Sequence, residues 1–314
     1  MNGETTRGIK TFTMLSILLP VYNWDISLLV SALQQQALSL DFPFEIRCYD
    51  DGSELVFKHK NRPVSSLKNV VYRELDDNIG RAKIRNLLGR TAQYPYLLFL
   101  DADSGIINPD YLAIYLQHLQ NTTVLYGGRG YAKNFFGPEG LKLHYKYGKK
   151  REEKPADYRK KRPYLSFLTN NFLIKKEIFL KVLFDENIKG YGHEDTLFGQ
   201  ELKKRGLEIA HIDNPLEHLG LEEKTVFLKK QEEAVRNLWH LSKRELKPET
   251  RLLKTFFWCK QKGLSGLILF LLNRLKPLID YQLKSQNPLL LFLDLFKLQY
   301  LLKIDQYGTK HLPG

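Results

Sequence analysis

The chain has 314 residues, 43% of them hydrophobic and 12% aromatic, which is enough apolar side chain for a sizeable core and excludes a disordered chain. Its 48 Lys and Arg against 35 Asp and Glu leave a net charge of +13, and its two cysteines, Cys48 and Cys259, exclude a disulfide scaffold or a Cys-built zinc site. Residues 1–10 are polar with no apolar leader, and no run reaches the roughly 18 to 20 apolar residues that span a bilayer, so a soluble or peripherally bound protein in a reducing compartment is expected.

The first half alternates strand and helix signals. Residues 15–21 form a short apolar run, the pattern of a strand buried on both faces. Ile26, Leu29, Val30 and Leu33 recur at helical spacing and predict a helix over 25–38, with Asp25 as its cap. A second strand is predicted over 44–49, ending at Asp50-Asp51-Gly52-Ser53, and a third over 69–72. Residues 80–92 read as helix, and 96–100 as a strongly apolar fourth strand ending in Asp101-Ala102-Asp103. A helix near 109–120 and a strand over 123–126 follow. The sequon at Asn121 reads as a turn. Alternation of this kind predicts an α/β fold with a mostly parallel, Rossmann-like sheet flanked by helices.

Residues 133–163 are rich in Lys, Arg, Tyr, Gly and Pro without a period, and read as a long mobile basic segment. Its part 142–162, with 10 Lys or Arg against 3 Asp or Glu, reads as a loop. A strand near 168–175 and a helix near 176–182 come next. The loop Gly190-Tyr191-Gly192-His193-Glu194-Asp195 then opens a helix that closes at Gly206. A strand near 208–212 and a helix near 222–242 complete the core, with Trp239 and His240 as packing residues.

Residues 243–314 hold 13 Lys or Arg against 5 Asp or Glu and include two strongly apolar stretches, 263–272 and 288–298. Both are too short to cross a bilayer. With basic residues interspersed they fit helices lying in an anionic membrane interface. The alternative is packing on the α/β core or on a second copy in a homo-oligomer. The expected organisation is a flexible N-terminus (1–13), an α/β domain (14–242) and a basic amphipathic helical C-terminal extension (243–314).

Ligands of an open parallel sheet bind beyond the carboxyl ends of its strands. Three of the first four strands end there in polar signatures: Pro20-Val21-Tyr22-Asn23, Asp50-Asp51-Gly52-Ser53 and Asp101-Ala102-Asp103. One such signature is ordinary turn chemistry; several along one edge point to a site. Asp101 and Asp103, two residues apart on leaving a strand, project to the same side, where carboxylates repel unless a cation joins them. Hard divalent ions such as Mg²⁺ or Mn²⁺ take one or two carboxylates plus substrate phosphates. No Gly-x-x-x-x-Gly-Lys-Ser/Thr occurs, and Gly127-Gly128-Arg129-Gly130 lacks the dinucleotide-binding spacing, so phosphates must be held by metal and basic groups. Asp195, at a predicted helix N-terminus, is expected to be kept ionised by the helix dipole.

In order and combination, Pro20-Val21-Tyr22-Asn23, Asp50-Asp51-Gly52-Ser53, Asn78-Ile79-Gly80-Arg81 with Arg85-Asn86, Asp101-Ala102-Asp103 and the 190–195 loop resemble the family-2 inverting glycosyltransferases of GT-A fold, over residues 14–242. The resemblance implies transfer of a sugar from a nucleotide-diphosphate donor, expected to be a UDP-sugar, to an acceptor hydroxyl. It places Pro20, Tyr22 and Asn23 at the nucleotide end, with Tyr22 beside the base. Asp50 or Asp51 would hydrogen-bond the base or ribose, and Asn78, Gly80, Arg81 and Arg85 would line the nucleotide pocket. Asp101, with Ala102, would face the ribose and donor sugar. Asp103, with Asp101 and His218, would hold Mn²⁺ or Mg²⁺ on the diphosphate. For His218 a structural role stands beside the metal role, and His211 and His193 are weaker candidates. Glu194 and Asp195 match the acceptor-side acidic pair, with Asp195 as the base. Asn170 and Asn171 resemble the acceptor-side segment or cap a turn. These roles supply what an inverting transfer needs: a base, a cation for the departing diphosphate, and held geometry.

The implied acceptor is a lipid-linked or polysaccharide glycan at the cytoplasmic face of the cell membrane, with peripheral contact to anionic lipid. The competing classes are a nucleic-acid-binding protein and a non-catalytic nucleotide-binding relative. The first calls for aromatics interleaved with basic residues on a recognisable module, and the sequence offers none. The second would have lost Asp103 or Asp195, and both are present.

Overall fold

The computed structural model describes residues 14–119, 122–188, 190–243 and 249–308; the N-terminus expected over 1–13, and Asn121, lie outside the described residues. The first elements are β1 (Leu15–Val21), α1 (Ser27–Ser39), β2 (Phe44–Asp50), α2 (Leu55–Asn61), β3 (Val70–Glu74), α3 (Arg81–Thr91), β4 (Tyr96–Leu100), β5 (Ser104–Ile106) and α4 (Tyr111–His118). Next come β6 (Val124–Tyr126), β7 (Arg129–Gly130), α5 (Lys142–Tyr147), a π-helical turn over Gly148–Glu152, α6 (Ala156–Lys160), β8 (Asn171–Lys175) and α7 (Lys176–Val182). The chain continues through α8 (Glu194–Lys204), β9 (Ile209–His211), β10 (Leu216–His218), α9 (Lys224–Leu241), α10 (Arg251–Gln261), α11 (Ser265–Lys284) and α12 (Leu290–Tyr307).

Seven strands form one sheet in the order β3-β2-β1-β4-β8-β6-β9. Neighbours pair in parallel except at β8, which runs antiparallel to β4 and β6. β1 and β4 sit mid-sheet and are almost wholly buried, which is why they read as unbroken apolar runs. Their buried polar neighbours are paired. Glu45 accepts from Ser16 Oγ and Gln93 N–H at 2.6 Å each, and from Arg47 Nε at 2.7 Å. Pro20 is tolerated in β1 because pairing with β4 ends at Leu18↔Phe99, while pairing with β2 continues to Val21↔Asp50. A second, three-stranded sheet has the order β5-β10-β7, with β10 antiparallel to β5 and parallel to β7.

The elements group into two compact units. One comprises the described residues up to Gly130 with 154–186 and 201–220; the other comprises 131–153, 187–200 and the described residues from Leu221 onward. Both sheets belong to the first unit, whose core includes Ile17, Leu33, Ile46, Leu98 and Leu112. The core of the second unit joins Leu143 of α5, Phe227 and Leu238 of α9, Phe256 of α10, Leu272 and Ile279 of α11 and Leu301 of α12. The two apolar C-terminal stretches thus each bury one side in this core. Pro277 lies inside α11; buried Gln299 of α12 donates to the Leu272 carbonyl at 3.1 Å and to Asn273 Oδ1 at 3.0 Å, beside the carbonyl that the proline leaves without its helical donor.

The basic segment 142–162 corrects the sequence expectation of a loop. It is mostly helical, and several of its charges are paired: Lys149 with Glu153 at 2.6 Å, and Arg151 with Asp294 at 2.6 Å. His144 stacks on Phe227 with ring centroids 4.5 Å apart, so an apolar and aromatic side is hidden among the lysines. Arg159 departs furthest from expectation. Its side chain is 2% exposed. It donates to the carbonyls of Lys154 (2.9 Å), Tyr126 (3.2 Å), Gly127 (3.3 Å) and Ile212 (2.7 Å), and its guanidinium lies over the Tyr126 ring. Arg159→Met leaves these buried carbonyls without donors. It is expected to cost about 3 kcal/mol or more, read as a lower urea midpoint at unchanged slope. An unchanged midpoint would mean that the carbonyls find other partners.

Candidate active site

The carboxyl ends of β1 and β2 are wired to each other through their loops. Asn23, in a left-handed backbone conformation (φ 50°), donates its N–H to Ser53 Oγ at 2.8 Å and accepts the Glu54 N–H at 2.9 Å. Asp50 is fully buried, accepting from Ser53 N–H at 2.7 Å and Tyr72 OH at 3.0 Å. Asp51 accepts the N–H groups of Ile79 (2.7 Å) and Gly80 (3.0 Å). All four carboxylate oxygens are therefore engaged in holding loops, where the sequence suggested contact with base or ribose. Tyr22, Asn78 and Arg81 are exposed around this frame, and Gly80 precedes the first turn of α3.

The end of β4 carries the charged cluster. Asp101 accepts from Arg85 Nη2 at 2.6 Å and from Arg129 Nη2 at 3.1 Å, and its backbone N–H donates to the Asn170 carbonyl at 3.0 Å. Arg85 is buried and acts here as a brace for Asp101, not as an open lining residue. Ala102 is buried between the two aspartates. Asn171 is fully buried, accepting from the hydroxyls of Tyr111 and Tyr115 and donating to the carbonyls of Gly128 and Asn214, so it is a packing hub.

Asp103 meets His218 through sheet register. β10 pairs with β5 so that His218 stands opposite Ser104, and the Leu219 N–H donates to the Asp103 carbonyl at 2.8 Å. His218 Nδ1 lies 3.5 Å from Asp103 Oδ1, a buried oxygen that makes no hydrogen bond. Burial pushes the Asp103 carboxyl up, but the adjacent His218, with the charges of Arg129 and Arg81, outweighs it and holds the group well below the usual range. A Cβ on Gly220 would stand 2.3 Å from Asp103 Oδ2, so glycine is needed for the close approach. Among the described residues no three His, Cys, Asp or Glu side chains converge on one point. One carboxylate and one imidazole leave most of a cation's coordination shell to phosphate and water. His211 is excluded from such a role: its ring nitrogens face Arg159 Nη1 and the Pro163 carbonyl at 3.1 Å each.

The 190–195 loop belongs to the second unit. Gly190, Gly192 and His193 have φ of 74°, 102° and 71°. At Gly192 a Cβ would also stand 2.7 Å from the Ala234 Cβ on α9, so glycine is required on both counts. Asn237 of α9 donates to the Tyr191 carbonyl at 3.0 Å. The loop delivers Glu194 and Asp195 as the first residues of α8. Glu194 is buried and accepts the Gly192 N–H at 3.1 Å. Asp195 accepts the Thr196 N–H at 2.6 Å. Burial first, then the charge of Glu194, push the Asp195 carboxyl up to about 7, with Thr196 opposing and Glu152 adding to the rise. The expectation that the dipole keeps this group ionised is corrected: desolvation and a like charge outweigh a helix-terminus effect of about 0.3–1 kcal/mol. His193 is neutral, its imidazole pushed down to about 4 by burial.

Comparison with known proteins decides the family. The family model for glycosyl transferase family 2 matches residues 16–183, more than half of the chain. The chain belongs to glycosyl transferase family 2. The curated chondroitin synthase of Escherichia coli is 27% identical to this family member over 235 residues, 64% of this chain and 34% of that protein. The chain thus spans about a third of the length of the curated relative that it matches. Among solved structures, a mannosyltransferase from Pyrobaculum calidifontis in complex with GDP-Man and Mn²⁺ matches at a TM-score of 0.50 and 13% identity, covering 76% of this chain and 67% of that one. The S. aureus TarS fragment 1–349 in complex with UDP matches at a TM-score of 0.50 and 16% identity, covering 95% and 92%. These two likenesses show the GT-A fold. Within the site, Arg129 is a residue that sequence reading misses. It lies in a glycine pattern that fits no dinucleotide fold, and its contact with Asp101 depends on a two-residue strand.

Proposed function

We propose that this glycosyltransferase moves a sugar, with inversion, from a UDP-sugar to a hydroxyl of a polysaccharide or lipid-linked glycan, with a divalent cation as cofactor. The observation that carries the reading is the unbonded, buried Asp103 Oδ1 facing His218 Nδ1 at 3.5 Å, next to the Arg85–Asp101–Arg129 cluster at the carboxyl end of the sheet. A buried carboxylate oxygen without a hydrogen bond can take a further partner, and oxygen with imidazole suits Mn²⁺ or Mg²⁺. Asp103 and His218 hold the ion in this reading, and when bound it neutralises charge on the leaving diphosphate.

The chain's own residues do the rest. Arg129 and Arg81 place positive charge around Asp103, where a diphosphate needs it. Exposed Tyr22 stacks on the base in this reading, and Asp51 fixes the 79–80 backbone. Asp195 accepts the acceptor hydroxyl proton while that oxygen bonds to the sugar's anomeric carbon. The bond from that carbon to the diphosphate breaks on the opposite face, releasing UDP. A carboxyl near 7 is matched to base work at neutral pH. Likeness to a chondroitin synthase supports a polysaccharide acceptor, and the TarS complex supports UDP.

A thermal-shift panel tests this reading. UDP, GDP, dTDP and CMP are each combined with Mn²⁺, Mg²⁺ or EDTA. UDP is expected to raise the melting temperature only with a divalent ion, since a ligand at 100 times its dissociation constant adds about 2.7 kcal/mol. A shift indifferent to EDTA rejects the cation, and a shift confined to GDP rejects the UDP assignment.

A further inference from the structure

We propose that the outward side of α11 docks the chain on an anionic lipid surface. α11 carries apolar residues on two sides, one buried and one exposed, where an ordinary surface helix has one apolar side. Leu269, Leu272, Ile279 and Leu283 face the core of the second unit. On the other side Leu267, Phe270, Leu271, Leu278 and Tyr281 recur at three- and four-residue spacing, and each is at least 50% exposed. A stripe of this length on a soluble face carries a standing cost unless something covers it.

Three features of the stripe select lipid as the cover. Its only charged member is Arg274, whose guanidinium lies over the Phe270 ring with 5.3 Å to the centroid. An arginine on an apolar stem can sink its methylenes among acyl chains while its head stays with the phosphates. The surrounding sequence is basic, since residues 249–284 hold seven Lys or Arg against two Asp or Glu. Exposed Tyr281 closes one end of the stripe and is the amphipathic ring type enriched at membrane interfaces. No helix of the described residues is long and apolar enough to cross a bilayer, so the contact is one of lying on the surface.

The test is vesicle co-sedimentation of the full chain without donor or metal, which keeps its outcome separate from that of the sugar-transfer reading. Vesicles of phosphatidylcholine are compared with vesicles in which roughly one third is phosphatidylglycerol. The chain is expected to sediment with the anionic vesicles and to be released by raised salt. Phe270→Glu/Leu278→Glu is expected to weaken binding at least about 100-fold, and Arg274→Glu roughly tenfold. All three positions are exposed, so melting temperatures are expected to stay close to the parent's. If the double variant nevertheless misfolds, Arg274→Glu and the salt response decide. The proposal is overturned if the parent stays in the supernatant with both vesicles, or if the stripe variants bind as the parent does. It is also overturned if size exclusion shows the parent as an oligomer that the variants dissociate while vesicles bind neither; the face is then an interface between copies.

Discussion

Asp195→Asn is expected to lower sugar transfer by at least about 100-fold while leaving nucleotide binding intact and making the protein more stable at pH 8. The two effects share one cause. Burial and Glu194 hold the Asp195 carboxyl at about 7 in the folded chain, whereas an ordinary carboxyl in the unfolded chain titrates near 4. Between those values the folded state binds a proton that the unfolded state has released. The stabilisation from this group is therefore complete below about pH 4 and is lost as pH rises through 7. Asparagine never ionises, so it escapes that loss. The parent's kcat/KM is expected to climb about tenfold per pH unit below 7 and to level above it, and the variant loses that limb. Thermal melts at pH 4 and pH 8, with initial rates across the same span, test both halves. Turnover near the parent's level in Asp195→Asn assigns the base elsewhere.

Asp103→Asn is expected to abolish the metal-dependent part of nucleotide binding and to lower transfer at least about 100-fold. His218→Ala removes one ligand and leaves the carboxylate, so a loss of about 10- to 100-fold is expected. Gly220→Ala supplies a variant that contributes no ligand of its own. Its new methyl would stand 2.3 Å from Asp103 Oδ2 and displace the carboxylate, so it is expected to follow Asp103→Asn in sense though not in size. Nucleotide thermal shifts with Mn²⁺ and with EDTA compare the three. A parent-like metal response in Asp103→Asn refutes the cation seat.

The central strands whose carboxyl ends carry the site were legible because burial on both faces leaves no room for alternation. Residues 15–21 and 96–100 match the predicted spans of β1 and β4. The acidic signatures at their ends were legible for the same reason: polar groups directly after such a run have few structural uses. What could not be read is what short elements bring together. β5, β7 and β10 have two or three residues each and no pattern, yet they set His218 beside Asp103 and Arg129 beside Asp101. Arg159 was hidden among Lys160, Lys161 and Arg162, since nothing local distinguishes a buried guanidinium from solvated ones. The ionisation of Asp195 is not legible, because a helix terminus is visible in sequence and desolvation is not.

Asp51 grips the loop at 79–80 by its backbone and not by its side chains. A peptide N–H is the same in every residue but proline, so the grip does not depend on what residues 78 and 79 display. Those two side chains are exposed. Exchanging them leaves the hydrogen bonds that fix the loop untouched. A lineage carrying this arrangement can therefore try new surfaces at the nucleotide edge one substitution at a time, with little loss of fold at each step.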